Sequence, residues 1–151
     1  MSPDEAIADL TAVKAEFSDK RQPLNRYPKG QQWPIVTVEG VSAVTEAIEA
    51  MKKLKKEKPL QPLKWNKELT DAAKFHANDM GPKGLMSHDS SDGTTAGKRI
   101  DRFLQKQTEV SGFGECMSAG MTSGKDVVLQ LLIDDGVKSR GHRANMTNTA
   151  F

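Results

Sequence analysis

Cys116 is the only cysteine among the 151 residues. No disulfide can close within the chain, so its fold has to be held by an apolar core and hydrogen bonds rather than by covalent staples. Length and composition permit this: 151 residues suit one domain with a single core, and 36% hydrophobic against 28% charged residues is ordinary globular usage, not that of a disordered chain. The same lone thiol favours an intracellular, cytoplasmic setting. The start, Met1-Ser2-Pro3-Asp4-Glu5, has neither the basic opening nor the apolar run of a secretory signal, and no apolar run reaches membrane-spanning length. Secretion is the alternative for a processed chain or a fragment. With 22 basic and 20 acidic residues the net charge is +2. That weak field, with no stacking platform of aromatic residues, argues against a nucleic-acid partner.

Helical periodicity divided by proline and glycine organises the chain. Ser2, Pro3 and Glu5 read as a capped helix start, with Ile7, Leu10, Val13 and Phe17 as its buried face. Pro23, Pro28, Gly30 and Pro34 make Ser18 to Gly40 a loop, although Ile35-Val36-Thr37-Val38 has the composition of a short strand. A second helix is predicted from Val41 to Lys56, with Val41, Val44, Ile48, Met51 and Lys55 on one face, stopped by Pro59 and Pro62. A third runs from Asn66 to Met80 with a narrow stripe of Leu69, Ala72, Ala73, His76, Ala77 and Met80. His76 lies on that stripe and reads as a hydrogen-bonded core histidine.

Gly81 to Gly93 is rich in turn residues, and Thr95 is placed to cap a helix carrying Ile100, Phe103 and Leu104. Phe113 to Met121 is the strand candidate of the second half. Ser123 and Asp126 open a last helix with Val127, Val128, Leu131 and Leu132 buried, and Gly136 is placed to close it in a left-handed cap.

Three further segments carry candidate chemistry. Gly84-Leu85-Met86-Ser87-His88-Asp89 offers a histidine before a loop, and Gly114-Glu115-Cys116 a carboxylate between glycine-bearing turns. Ile133-Asp134-Asp135-Gly136 through Gly141-His142-Arg143-Ala144-Asn145 sets two carboxylates shortly before a histidine in a basic turn. In this order, and with Leu63-Lys64-Trp65-Asn66-Lys67-Glu68-Leu69 ahead of them, these segments resemble the CAP superfamily of cysteine-rich secretory, antigen 5 and pathogenesis-related proteins, from about residue 40 onward. Two departures stand out: Cys116 replaces the usual asparagine of Gly-Glu-Asn, and an aspartate stands where many members have glutamate.

The resemblance implies an α+β fold, a three-layer α/β/α sandwich with a small antiparallel sheet. It places an N-terminal helix and Pro-rich loop, residues 1–40, against a CAP domain of residues 41–151 in one structural domain. The family continues into two more strands beyond the point where Phe151 stands, so the expectation is either a fragment, or a sheet incomplete at the C-terminus whose strands are lost or supplied by a protein partner at its edge. The implied cleft gathers His88, Glu115, Asp134 and His142, with Asp135 as the alternative ligand and Ser87, Arg143 and Asn145 in support. Two imidazoles and two carboxylates suit a divalent metal, zinc rather than magnesium or calcium. His88 and Glu115 are 27 positions apart, as are Glu115 and His142, so the family fold and not spacing implies the set. The expected function is a non-enzymatic binding module for lipid or sterol, glycan or protein. The alternatives are a metal-dependent hydrolase or protease with Glu115 as base, or a structural subunit with a vestigial cleft; a serine hydrolase on Ser87 or Ser139 is set aside, because nothing specifies a nucleophile elbow or an oxyanion hole.

Overall fold

The first helix, α1 (Pro3–Ala15), starts where local chemistry dictates: Ser2 Oγ accepts from the Glu5 N–H at 3.3 Å and Glu5 Oε2 accepts from the Ser2 N–H at 2.6 Å, a reciprocal capping box. It belongs to a computed structural model that describes residues 1–17, 23–30, 32–57, 62–104 and 112–150. The chain divides into two compact units, Met1–Leu60 with Ser118–Ala150, and Gln61–Met117. Among the described residues no helix is long and apolar enough to cross a membrane.

In the first unit α1 packs with α2 (Val41–Lys56) and α5 (Gly124–Ile133). Ala6, Leu10 and Val13 of α1, Val44, Ala47, Ile48 and Met51 of α2, and Leu129 and Leu132 of α5 form its apolar core. Ile7 and Phe17 pack on this core partly buried. Val41, expected on the buried face, is 37% exposed at the first turn of α2. Where a loop was expected, Asn25–Arg26 (β1) and Ile35–Val36 (β2) form a two-stranded antiparallel ladder, Asn25 opposite Val36. Thr37 ties it off, its N–H and Oγ both donating to the Leu24 carbonyl. Among the described residues the fold is helix-rich, with one small antiparallel sheet.

α5 begins as expected, Ser123 Oγ accepting the Asp126 N–H at 3.1 Å, but it does not close at Gly136. Asp134 itself takes the left-handed conformation (φ 55°), and Gly136 (φ 77°) follows in the next turn. A non-glycine residue there is strained, and the three hydrogen bonds its carboxylate accepts offset that strain. Gly136 suits this turn because its φ of 77° favours glycine, and a Cβ on it would also crowd Val38 Cγ2 at 3.2 Å. The basic turn around His142 is a short helix, α6 (Gly141–Met146).

The second unit holds α3 (Lys67–Met80), a 3-10 turn (Gly81–Lys83) and α4 (Ala96–Leu104). Asn66 Oδ1 caps α3 through the Leu69 N–H at 2.8 Å. Its buried stripe is narrower than predicted: Ala72, His76 and Met80 are buried, whereas Leu69, Ala73 and Ala77 are exposed. Phe75 of α3 and Phe103 of α4 stack at a tilt, their centroids 5.8 Å apart. Asp79 ties the turn to the following loop by accepting the N–H and hydroxyl of Ser91 and a bond from Lys83. The expected strand Phe113 to Met121 is absent: among the described residues this stretch forms no ladder. A strand exists only through its partner, and local composition cannot supply one.

Candidate functional site

Each unit contains one histidine–carboxylate pair. In the second, the turn after α3 delivers His88, whose Nδ1–H donates to Glu115 Oε1 at 2.8 Å. The other carboxylate oxygen accepts from Nη2 of Arg99, an α4 residue whose side chain is 1% exposed. Burial pushes the Glu115 carboxyl up, but the hydrogen bonds from His88 and Arg99 outweigh it and hold the group below the usual carboxylate range. An ionised acceptor requires the proton on His88 Nδ1, so the neutral ring carries its lone pair on Nε2. The His88 side chain is 52% exposed.

His76 behaves as the core histidine predicted: it is buried, its Nε2–H donates to the Ser87 carbonyl at 2.8 Å, and its Nδ1 lies 3.3 Å from Ser90 Oγ. Ser87 supports the turn further, Oγ accepting the Asp89 N–H at 3.2 Å.

In the first unit, Asp134 is buried at the end of α5 and gathers three donors. Oδ1 accepts from His142 Nδ1–H at 2.7 Å, and Oδ2 accepts the backbone N–H of His142 at 3.0 Å and of Arg143 at 3.2 Å. The carboxylate therefore satisfies the first turn of α6 and orients the imidazole of that turn in one arrangement. Asp135 is engaged differently, its two oxygens accepting the N–H groups of Val38 at 2.7 Å and Glu39 at 2.8 Å. It is Asp134, not Asp135, that meets His142. Arg143 lies buried under α6, and Asn145 is half-buried on it. Within either unit, among the described residues, no three His, Cys, Asp or Glu side chains are grouped to hold a metal ion. The four predicted residues are present as two pairs, His88 with Glu115 and His142 with Asp134.

Sequence reasoning missed Arg99, and it missed Glu39 and Glu46 as the partners of Arg140. Arg140 forks onto Glu39 and Glu46, and Gly136 N–H adds a bond to Glu39 Oε1 at 2.8 Å. Arg99 left one legible signal, since it lies four positions before Phe103 on a helix whose face is otherwise apolar. The Glu39–Arg140 pair, 101 positions apart, left none.

The Arg140 fork and the Gly136 N–H lower the Glu39 carboxyl from 4.5 to about 2. A depressed carboxyl contributes stability above its unfolded value, and that contribution drains as pH falls through the folded one. The urea midpoint of the wild type is therefore expected to fall between pH 4.5 and about pH 2. Glu39→Gln should flatten that slope, and equal slopes for the two proteins would refute the assignment.

The family model of the cysteine-rich secretory proteins (CAP) matches residues 48–151. No curated protein and no solved structure gave a significant match. The matched span includes His88, Glu115, Asp134 and His142, together with every hydrogen bond that joins them in pairs. This chain belongs to the CAP, cysteine-rich secretory protein, family.

Proposed function

We propose that this chain is a non-enzymatic CAP-type binding module that holds a divalent cation. The candidate nitrogen donors are His88, oriented by Glu115 in the second unit, and His142, oriented by Asp134 in the first. One observation carries the reading: in both units the imidazole gives its Nδ1–H to a carboxylate, at 2.8 Å and 2.7 Å. Metal-binding histidines are held in this way, because the hydrogen bond fixes the ring and makes the opposite nitrogen a better donor. Nitrogen donors favour zinc over magnesium or calcium, which prefer oxygen throughout. The three-layer α/β/α arrangement, a protein partner at the sheet edge, and a lipid, sterol or glycan ligand belong to the same reading and rest on family membership.

Calorimetric titration with Zn²⁺ tests the proposal. The wild type is expected to bind zinc stoichiometrically and to ignore magnesium at equal concentration. His88→Ala and His142→Ala, each checked for folding by circular dichroism, should each lose more than the roughly 100-fold in affinity that an outer-shell change costs. A folded wild type that takes up no zinc defeats the reading.

A further inference from the structure

The turn from Ser87 to Ser90 has no helix or ladder of its own, yet buried residues on two helices fix it from behind. From α3, His76 holds the Ser87 carbonyl and contacts Ser90 Oγ. From α4, Arg99 Nη1 donates to the His88 carbonyl at 3.2 Å and to Ser90 Oγ at 3.1 Å, while Nη2 donates to Glu115. One guanidinium thus touches both the backbone of His88 and the carboxylate that holds the His88 ring. Arginine is almost never fully buried unless it is paired, and here Nε has no hydrogen-bond partner among the described residues. That orphan donor costs stability, a cost that an apolar filler such as methionine would not incur.

We infer that Arg99 is a positioning residue for the His88 imidazole, placing the ring through the His88 carbonyl and fixing its tautomer through Glu115. The planar fork is what permits both contacts at once, and a lysine ammonium cannot reproduce it. Ser90 completes the cradle, lying against Arg99 on one side and His76 on the other. The inference deepens the metal-site reading and takes its purpose from it, but the geometry acts on the metal-free ring.

Long-range ¹H–¹⁵N NMR of the metal-free protein, at a pH where imidazoles are neutral, reads the tautomer of each of the three histidines. In the wild type His88 is expected to carry its proton on Nδ1. In Arg99→Met it should shift toward the Nε2-protonated form that an unconstrained imidazole prefers, while His142, held by Asp134, keeps its signature. Arg99→Lys retains the charge without the fork and should shift His88 in the same direction; it carries the test if Arg99→Met does not fold. Zinc affinity of a folded variant should fall about 10- to 100-fold. His88 still protonated on Nδ1 in a folded variant would overturn the inference, even in a protein that binds zinc. A wild type that binds no zinc, but whose His88 tautomer answers to Arg99, would sink the metal reading and uphold the positioning role.

Discussion

Replacing Arg143 by alanine is expected to lower the unfolding free energy of the first unit by about 1–3 kcal/mol for each buried carbonyl left without its donor. The side chain is buried, and its donors are nearly all directed at backbone. Nε donates to the Leu132 carbonyl at 2.6 Å, Nη2 to the Ile133 carbonyl at 2.7 Å and to the Ala43 carbonyl at 3.5 Å, and Nη1 to Glu46 at 2.7 Å. Leu132 and Ile133 close α5, so their carbonyls are among those that a helix leaves unpaired at its C-terminus. A cation placed there also complements the helix dipole. Alanine would leave the Leu132 and Ile133 carbonyls without this donor, and lysine could satisfy only part of the set. Urea unfolding of Arg143→Ala beside Arg143→Lys checks this: a loss below about 1 kcal/mol for the alanine variant would contradict the structural role.

Leu10→Ala should cost about 2–5 kcal/mol by the same measurement. Leu10 is 0% exposed and lies in the cluster built from α1, α2 and α5, where the lost methyl groups leave a cavity that the surrounding helices cannot easily collapse. Trp65→Ala provides the contrast. That indole is 86% exposed, and its removal is expected to stay within about 0.5 kcal/mol. Equal losses for the two variants would mean that Leu10 is not at the centre of the unit's packing.

The elements that could be read in advance are those whose cause lies within one turn of chain. Ser2 with Glu5 and Ser123 with Asp126 each announced a helix start, because a cap needs only a side-chain oxygen and an N–H three residues later. The stripe of α2 located Val44, Ile48 and Met51 in the core for the same local reason, and His76 read as a core residue because it lay on the stripe of α3. The errors have the opposite origin. Ile35–Val36 is a strand because Asn25–Arg26 lies beside it, and Phe113 to Met121 is not one because no described segment does. Asp134 displaced Gly136 as the residue that closes α5 because three donors from α6 converge on its carboxylate, a compensation that turn propensities do not contain.

By itself the sequence determined the family, the longer helices α1 to α5, and the kinds of side chain available for a site, since motif order, capping pairs and apolar period are all written in local spacing. Only the tertiary structure decided which groups meet. It gave His142 to Asp134 and used Asp135 to hold the backbone of Val38 and Glu39. It also drew Glu115 to His88 across 27 positions and put Arg99 behind both. Two adjacent aspartates are nearly indistinguishable as letters. The left-handed turn at the end of α5 separates them, directing one carboxylate to the first turn of α6 and the other to the strand-flanking loop.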